Sequence, residues 1–204
     1  MVLSKEAIAD LLNTKAEYYN KPWFIEEDPI SIPHLFSRKE DREIAGFLAA
    51  TIAWGQRPVI IRNAKLLMQW MDYQPYDFIM NAGDDELSHF LNFKHRTFNG
   101  LDCIYFIKAL QSIYRDRGGL ENVFTSHWVK NSGDAGLAIS GFRKAFFSFN
   151  DPGRTSKHVS NPSAGSSAKR LNMYLRWMVR KDDSGVDFGL WGSIPQSELC
   201  CPLD

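Results

Sequence analysis

The chain has 204 residues with 24 Lys and Arg against 24 Asp and Glu, so its formal net charge is zero, and 44% of its residues are apolar. This length suffices for one large or two small domains, and the apolar content can supply a full core. A neutral total charge excludes a uniformly basic protein, so any affinity for nucleic acid must come from a local patch.

The cysteines and histidines argue against a metal centre. The three cysteines, Cys103, Cys200 and Cys201, have no C-x-x-C spacing, and the five histidines show no ligand spacing. We therefore expect no metal and no cofactor. The N-terminus lacks the layout of a signal peptide, and no run of about 18 apolar residues is present that would span a bilayer. These features predict a reduced, cytoplasmic, monomeric protein with no membrane partner.

Helical periodicity begins at the N-terminus. Ser4 is a good N-cap for a first helix, and this helix has apolar residues on or near one face, which is typical of a helix that packs on a core. They are Ile8, Leu11, Leu12 and Tyr18. The following segment, 22–33, contains three prolines and an acidic run without a sustained period, which indicates an irregular connection over the core.

The strongest helical pattern lies between Lys39 and Trp54. Apolar residues recur at i, i+3, i+4, i+7 and i+8, and four alanines on this stretch permit close contact with another helix. The helix is predicted to stop at Gly55, and Pro58 suits the first position of a second helix that runs to about residue 72. The short turn between the two helices presents Gln56 and Arg57 outward.

Further helices are predicted over 84–90, 101–117, 120–129 and 135–149, with turn residues between them. Nothing alternates with period two for long enough to indicate a sheet. The predicted fold class is therefore all-α: a two-lobed helical bundle of eight or more helices, forming a single unit over residues 1–204.

The segment 161–181 carries the best functional clue. Its first half is rich in Pro, Gly and Ser, and its second half has the apolar stripe of an amphipathic helix with Lys169 in the first turn. Between Pro152 and Lys181 there are seven Lys or Arg and no Asp or Glu. A helix N-terminus opening from a small-residue loop suits a phosphate, and flanking cations add affinity for a nucleic-acid backbone. The alternative is an ordinary surface helix with solvated basic side chains.

The same segment resembles the helix-hairpin-helix DNA glycosylases, the superfamily of endonuclease III and the 8-oxoguanine DNA glycosylases. Asn161-Pro162-Ser163-Ala164-Gly165 is similar to the Pro-Gly-x-Gly hairpin that binds DNA phosphate in that family, although Ser163 replaces the first Gly. Lys169-Arg170-Leu171-Asn172-Met173-Tyr174-Leu175 resembles the Lys-Thr-Ala-Asn-apolar-apolar-Leu run that carries the nucleophilic lysine. Lys169 to Arg180 also looks like the Lys-Arg-x-Asn-Met-x-Leu-Arg-Trp-Met-Val-Arg signature of an uncharacterised bacterial family.

A second resemblance lies upstream and in the family's order. Residues 44–56 are similar to the helix that ends in Leu-Ser-x-Gln, whose Gln enters the space left by an extruded base; here that residue is Gln56. The segment Cys201-Pro202-Leu203-Asp204 stands where the family's aspartate segment begins, and Asp187 in Val186-Asp187-Phe188 is a fallback carboxylate. The fold implied by the resemblance includes a helix-hairpin-helix-like element.

The resemblance implies a set of site residues. Lys169 would attack the sugar carbon and form a Schiff base, and Asp204 would accept a proton or stabilise the positively charged sugar. A solvated or phosphate-binding role for Lys169, and a terminal position without function for Asp204, are the alternatives. The implied DNA-binding residues are Gln56, Arg57, Gly165, Ser166, Ser167 and Arg170. The implied base pocket comprises Trp54, Phe188 and Trp191, although aromatic residues are more often core.

The resemblance implies a DNA repair enzyme for base excision, with double-stranded DNA holding a damaged base such as 8-oxoguanine as its partner. It would be a DNA glycosylase, with AP-lyase activity if Lys169 forms the Schiff base, and nucleoid-associated when bound to DNA. Two alternatives stay open: a helix-hairpin-helix module that binds DNA without chemistry, and a helical protein-interaction domain whose basic face meets an acidic partner.

Overall fold

The structure is a computed structural model that describes residues 4–130 and 133–200. Within those ranges it contains ten α-helices and one two-stranded ladder, which confirms the all-α prediction. The helices are α1 (Lys5–Tyr19), α2 (Pro22–Glu26), α3 (Lys39–Thr51), α4 (Arg57–Trp70), α5 (Pro75–Asn81), α6 (Asp84–Ser88), α7 (Gly100–Asp116), α8 (Leu120–Lys130), α9 (Ala135–Phe146) and α10 (Lys169–Val179). The strands are β1 (Lys94–His95) and β2 (Phe98–Asn99).

The small ladder was not predicted. β1 and β2 are antiparallel, with Lys94 opposite Asn99 and His95 opposite Phe98. Two residues per strand are too few to give a detectable period-two pattern, so the sequence offered no signal. Arg96 lies in the turn with a φ of 53°, the left-handed conformation that tight turns require.

α3 is the central helix. Its residues from Glu43 to Thr51 are all buried, as its alanine-rich pattern predicts. α10 packs antiparallel against it: Tyr174 Oη donates to Glu43 O at 3.1 Å, and a Cβ on Gly46 would lie 3.1 Å from Met178 Cε. The N-terminus of α10 therefore lies at the C-terminal end of α3, next to the turn into α4.

Glu43 shows how α3 holds the surrounding elements. Its side chain is buried, and its Oε1 and Oε2 accept hydrogen bonds from Trp191 Nε1 at 2.7 Å and Tyr114 Oη at 2.6 Å. Burial raises the pKa of Glu43, against the opposing effect of these two donors. This carboxyl group ties the C-terminal loop and α7 to the middle of the molecule.

The prediction that the first helix packs on the core is wrong. α1 has no buried residue, and Leu11 and Leu12 are each 49% exposed. An amphipathic pattern records only that one face is apolar, so it does not reveal whether another element covers that face. Asn20, which follows α1, makes the polar contacts to the rest of the fold, donating to Ser184 Oγ at 3.3 Å and accepting from Arg180 at 2.5 Å.

The proline-rich segment is more regular than predicted. It contains α2 and two 3-10 turns, Pro29–Ser31 and Pro33–Leu35, since proline suits the first position of a helical turn. Ile30 and Ile32 are fully buried, so the segment does lie over the core.

Buried apolar side chains from Ile30 to Ile194 form one continuous cluster, and the division into two lobes stays a prediction. The hairpin-like segment that begins at Asn161 is preceded by a 3-10 helix, Gly153–His158, rather than by an α-helix. In the described part of the chain, every helix is too short or too polar to cross a bilayer.

Candidate nucleic-acid interface and active site

The hairpin before α10 is a compact, exposed turn. Ser166 N–H donates to Asn161 O at 3.3 Å, and Gly165 N–H donates to Pro162 O at 2.9 Å. Gly165 has a φ of 84°, a left-handed conformation that favours glycine. Gly165, Ser166 and Ser167 are all exposed, so backbone and hydroxyl groups of this turn face solvent.

The first turn of α10 has no side-chain cap. Ala168 occupies the N-cap position with a φ of 48° and makes no side-chain hydrogen bond to the helix. Because first-turn N–H groups have no intrahelical partner, an uncapped helix leaves them directed towards the surface with the positive end of the helix dipole. Lys169, the first residue of the helix, is exposed there. This geometry suits an anion such as a phosphate.

Arg170 joins α10 to the end of α3. Its Nη1 donates to Thr51 O, and its guanidinium lies 4.7 Å from the centroid of the Trp54 ring, a cation–π contact. Gln56 and Arg57, both exposed, follow Trp54 after one intervening glycine. The structure thus brings all six predicted DNA-binding residues to one end of the molecule.

Trp54 already has aromatic partners of its own. The His158 ring is nearly parallel to it with centroids 6.0 Å apart, and the His95 ring meets it edge-on at 5.1 Å. His95 is further fixed by Asn63 Nδ2 at 3.0 Å from its Nδ1. With Arg170 packed on it as well, Trp54 serves to hold the turn and the loop together, and we correct its assignment to a base pocket.

Asp102 anchors the segment that carries His158, the ring that packs on Trp54. The carboxylate is fully buried and accepts from Arg154 Nη1 at 2.7 Å and Thr155 Oγ1 at 2.8 Å, and also from the Asn99 N–H at 2.9 Å. His158 Nε2 lies 3.2 Å from Asp102 Oδ2. These contacts fasten the 3-10 helix Gly153–His158 to α7 and to the ladder, because a buried carboxylate that loses one of its donors is destabilised.

Two further arginines extend the basic end. Arg154 Nη2 donates to Thr97 O at 3.0 Å, and the guanidinium of Arg96 lies against Gly55, where an added Cβ would be 3.1 Å from Arg96 Nη1. We call five residues the cation surface: Arg57, Arg96, Arg154, Lys169 and Arg170. The contacts described above hold Arg96, Arg154 and Arg170 at this end of the molecule, and Arg57 and Lys169 begin the adjoining helices α4 and α10.

The buried histidine beside Trp54 makes stability depend on pH. Burial lowers the pKa of His158, with Lys157 and Arg154 acting in the same sense and Asp102 against them. A lowered pKa means that the folded state binds a proton on His158 less tightly than the unfolded chain does. The contribution of neutral His158 to the free energy of unfolding is therefore complete above pH 6.5, the ordinary pKa of histidine, and is lost as pH falls below that value.

We therefore expect the free energy of unfolding of the wild type to fall more between pH 7.5 and 5.5 than that of His158→Asn, measured by urea denaturation. His95, whose pKa burial also lowers, is present in both proteins and cancels in the comparison. His89→Asn, at an exposed histidine, is the matched control. An equal loss of stability in His158→Asn and wild type would contradict the prediction.

Phe188 and Trp191 do not join Trp54 in a base pocket. Phe188 packs on the His34 ring at 4.3 Å, and its N–H donates to Trp177 O at 2.8 Å. Trp191 has no exposed surface and donates to Glu43. Both lie beside the C-terminal half of α10, about 10 Å along the helix axis from Arg170. The prediction is therefore wrong in grouping these three aromatic residues.

A small cavity lies between α2, α10 and the loop after α10. Its volume is about 80 Å³, well below the ~300 Å³ at which pockets for drug-sized ligands begin. Two carboxyl groups and one guanidinium share this mostly apolar space, which we call the carboxylate cavity. It is lined by Phe24, Asp28, Ile30, Met173, Arg176, Trp177, Val186 and Asp187.

Asp187 is the buried anion of this cavity. Its Oδ2 accepts from Arg176 Nε at 3.1 Å and from Arg180 Nε, and its side chain is 1% exposed. Within the part of the chain that the structure describes, Oδ1 is shielded from solvent and has no hydrogen-bond partner. A buried oxygen without a donor is costly, so such an atom in a cavity wall indicates a place for a ligand or water.

Lys169 lies close to this cavity along α10. Met173 and Arg176 are four and seven residues after Lys169, which places all three on one face of the helix. Side chains four apart on a helix have Cβ atoms roughly 5–6 Å apart, so Lys169 is one turn beyond the cavity wall. Asp204, the carboxylate first assigned to work with Lys169, lies outside the described residues. Asp187, the fallback, is the carboxylate on this face.

Arg57 connects the cavity with the cation surface. Its guanidinium lies 5.9 Å from the centroid of the Phe24 ring, and Phe24 is part of the cavity wall. The uncapped helix, the cation surface and a buried carboxylate therefore form one continuous region.

Residues 28–204 match the family model described as "Protein of unknown function (DUF2400)", and the chain belongs to this family. α1 and α2 precede the matched residues. No curated protein and no solved structure was found to match the chain.

Sequence reasoning missed three residues of this region, Asp28, Arg96 and His158, and it counted Arg154 only as one of the seven basic residues between Pro152 and Lys181. The contact of Arg154 with Asp102 joins residues 52 positions apart, which no local pattern reveals. Asp28 stood in an acidic run that predicted only a connection. The one available signal was its place before Pro29, since Asp followed by Pro is a common helix start.

Proposed function

We propose that this protein is a DNA glycosylase with AP-lyase activity that removes a damaged base such as 8-oxoguanine from double-stranded DNA. Lys169 is the nucleophile and Asp187 the carboxylate that stabilises the positively charged sugar. One observation carries the proposal: Lys169 opens an uncapped helix on the face that, one turn later at Met173 and two turns later at Arg176, lines a cavity with a buried carboxylate.

DNA would bind through phosphate contacts at the cation surface and the hairpin. First-turn N–H groups of α10 and the exposed Ser166 and Ser167 supply hydrogen-bond donors, and the five cations supply counterion release. Such contacts position the duplex without reading its sequence. Specificity for damage would then come from the base that leaves the stack and from the cavity that receives it.

The chemistry requires a neutral amine and a nearby anion. Attack of Lys169 Nζ on the sugar C1′ forms a C–N bond as the bond from C1′ to the base breaks, and that electron pair leaves with the base. Asp187 stabilises the positive charge that develops on the sugar. Loss of a proton from nitrogen and opening of the sugar ring give an imine, which borohydride reduces to a stable amine.

The size of the carboxylate cavity sets a condition on this reaction. At about 80 Å³ the cavity is too small for a purine, so a base enters only when the wall moves. Phe24 is the natural element to move, since α2 has no buried residue. The small volume also favours a second candidate function, a DNA-binding module that performs no chemistry.

The test is borohydride trapping with the whole chain on duplex DNA that holds an abasic site and, separately, 8-oxoguanine. We expect a covalent adduct with both substrates and duplex binding that weakens as salt is raised. Salt-dependent binding without an adduct on either substrate would refute the enzyme and leave the DNA-binding module. Absence of duplex binding would refute both.

A further inference from the structure

Two carboxyl groups line the carboxylate cavity, and their surroundings differ. Asp187 lies between the guanidinium groups of Arg176 and Arg180. Asp28 begins the 3-10 turn Pro29–Ser31, where its Oδ1 accepts from the Ile30 N–H at 3.0 Å. Asp28 is only 8% exposed, and in the described residues no hydrogen bond engages its Oδ2. One acid is ion-paired and the other is not.

The charges that act on Asp28 come from three elements. Arg57 at the start of α4 and Arg176 on α10 favour its ionised form, as does the Ile30 N–H, whereas Asp187 disfavours it. Burial is the largest influence, and the net result is a raised pKa for Asp28. Two carboxyl groups that share one cavity but differ in their partners commonly divide the roles of acid and base in one site.

We propose that Asp28 is the proton donor to the departing base, an inference that rests on the function proposed above. As the bond from C1′ to the base breaks, its electron pair is left on the base, and Asp28 Oδ2 gives a proton to a ring nitrogen of that base. Asp28 becomes a carboxylate and the base leaves neutral. Asp187 stays paired with Arg176 and Arg180 and faces the sugar, while Lys169 forms the new bond to C1′.

Asp28 thereby supports the departure of the base, and Asp187 supports the positive charge on the sugar. A base needs a proton to leave, whereas the amine of Lys169 forms an imine with an abasic site by expelling water and no base departs. Loss of Asp28 should slow base excision and spare imine formation on abasic DNA. A residue with only a structural role would affect both activities alike.

The experiment compares wild type with Asp28→Asn in single-turnover excision of 8-oxoguanine and in borohydride trapping on abasic-site duplex. Asparagine keeps an oxygen to accept from the Ile30 N–H but has no acidic proton. We expect excision to fall about 10²- to 10⁴-fold, the range for general acid catalysis, with trapping within about twofold of wild type. Glu27→Gln, at the exposed neighbouring acid, should leave both activities unchanged.

The pH profile gives a second readout. Wild-type excision should decrease as pH rises through the pKa of Asp28 in the complex, and this limb should be absent from the residual activity of Asp28→Asn. If Asp28→Asn unfolds, Asp28→Ser replaces it, because serine also caps a helical turn. Thermal melting identifies the folded variant.

The outcomes separate the two proposals. Wild-type excision retained in Asp28→Asn, or an equal loss of excision and trapping in a folded variant, refutes the role of Asp28 and leaves the proposed function standing. Failure of the wild type to form any adduct refutes the proposed function, and the role of Asp28 falls with it.

Discussion

Replacing Lys169 with glutamine is expected to abolish the borohydride-trapped adduct on abasic-site duplex. A Schiff base requires a primary amine, and glutamine offers none, so the loss should be complete within detection. Lys169 is exposed at the first position of α10, and an exposed substitution there changes stability by roughly 0.5 kcal/mol or less. Duplex binding should weaken only modestly, because four cations of the cation surface remain.

Lys181→Gln provides the matched control. Lys181 is also exposed and lies beyond the other end of α10, so the substitution removes the same charge without touching the cation surface. We expect Lys181→Gln to trap as efficiently as wild type. If Lys169→Gln still forms the adduct, another amine is the nucleophile, and Lys169 returns to the role of a phosphate contact.

The positions of α3 and α10 can be predicted from local sequence patterns, but the elements that each helix packs against cannot. α3 and α10 have strong apolar stripes, and both lie where the pattern predicts. α1 also has apolar residues on or near one face, which nothing in the described residues buries. Periodicity reports the chemistry of one face, and coverage of that face depends on tertiary contacts that no local pattern contains.

Long-range pairing explains the errors at the site. Trp54 was assigned to a base pocket because an aromatic ring can stack on an extruded base, but its partners His95 and His158 lie 41 and 104 positions further along the chain. Trp191 is in the core because Glu43, 148 positions away, accepts its N–H. By contrast, Lys169, Arg170 and the hairpin are neighbours in sequence, so the pattern that predicted them also predicted their proximity.

The choice between Asp204 and Asp187 also depended on tertiary contacts that a local sequence pattern does not contain. The sequence favoured Asp204 through its order after Lys169, whereas Asp187 appeared as a fallback in a short glycine-punctuated segment. What distinguishes Asp187 is its environment: a buried side chain in a cavity wall, two arginine partners and, within the described residues, one buried oxygen without a hydrogen-bond partner. Those properties come from the packing of α10 against the following loop, which a linear motif does not specify.

Replacing Asp187 with asparagine should therefore lower base excision by about 10²- to 10³-fold, the usual effect of removing one electrostatic contact to a transition state. Asparagine has nearly the same shape and keeps an oxygen for Arg176 and Arg180, so the loop should retain its position. The lost ion pairs should cost about 1 kcal/mol of unfolding free energy, because Arg176 is half exposed. Asp183→Asn, at an exposed acid in the same loop, should change neither quantity.

A second substitution separates the charge of Asp187 from its ion pairs. Arg180→Gln removes one ion pair from the other side and keeps the carboxyl group of Asp187 in the cavity with its contact to Arg176. If Asp187 acts on the sugar, Arg180→Gln should lose similar stability but far less excision than Asp187→Asn. Equal losses of excision in the two variants would mean that the ion pair, and with it the packing of the loop on α10, is what the reaction needs. In that case the carboxylate would be structural, and Lys169 would have to act without an anion on this face of the helix.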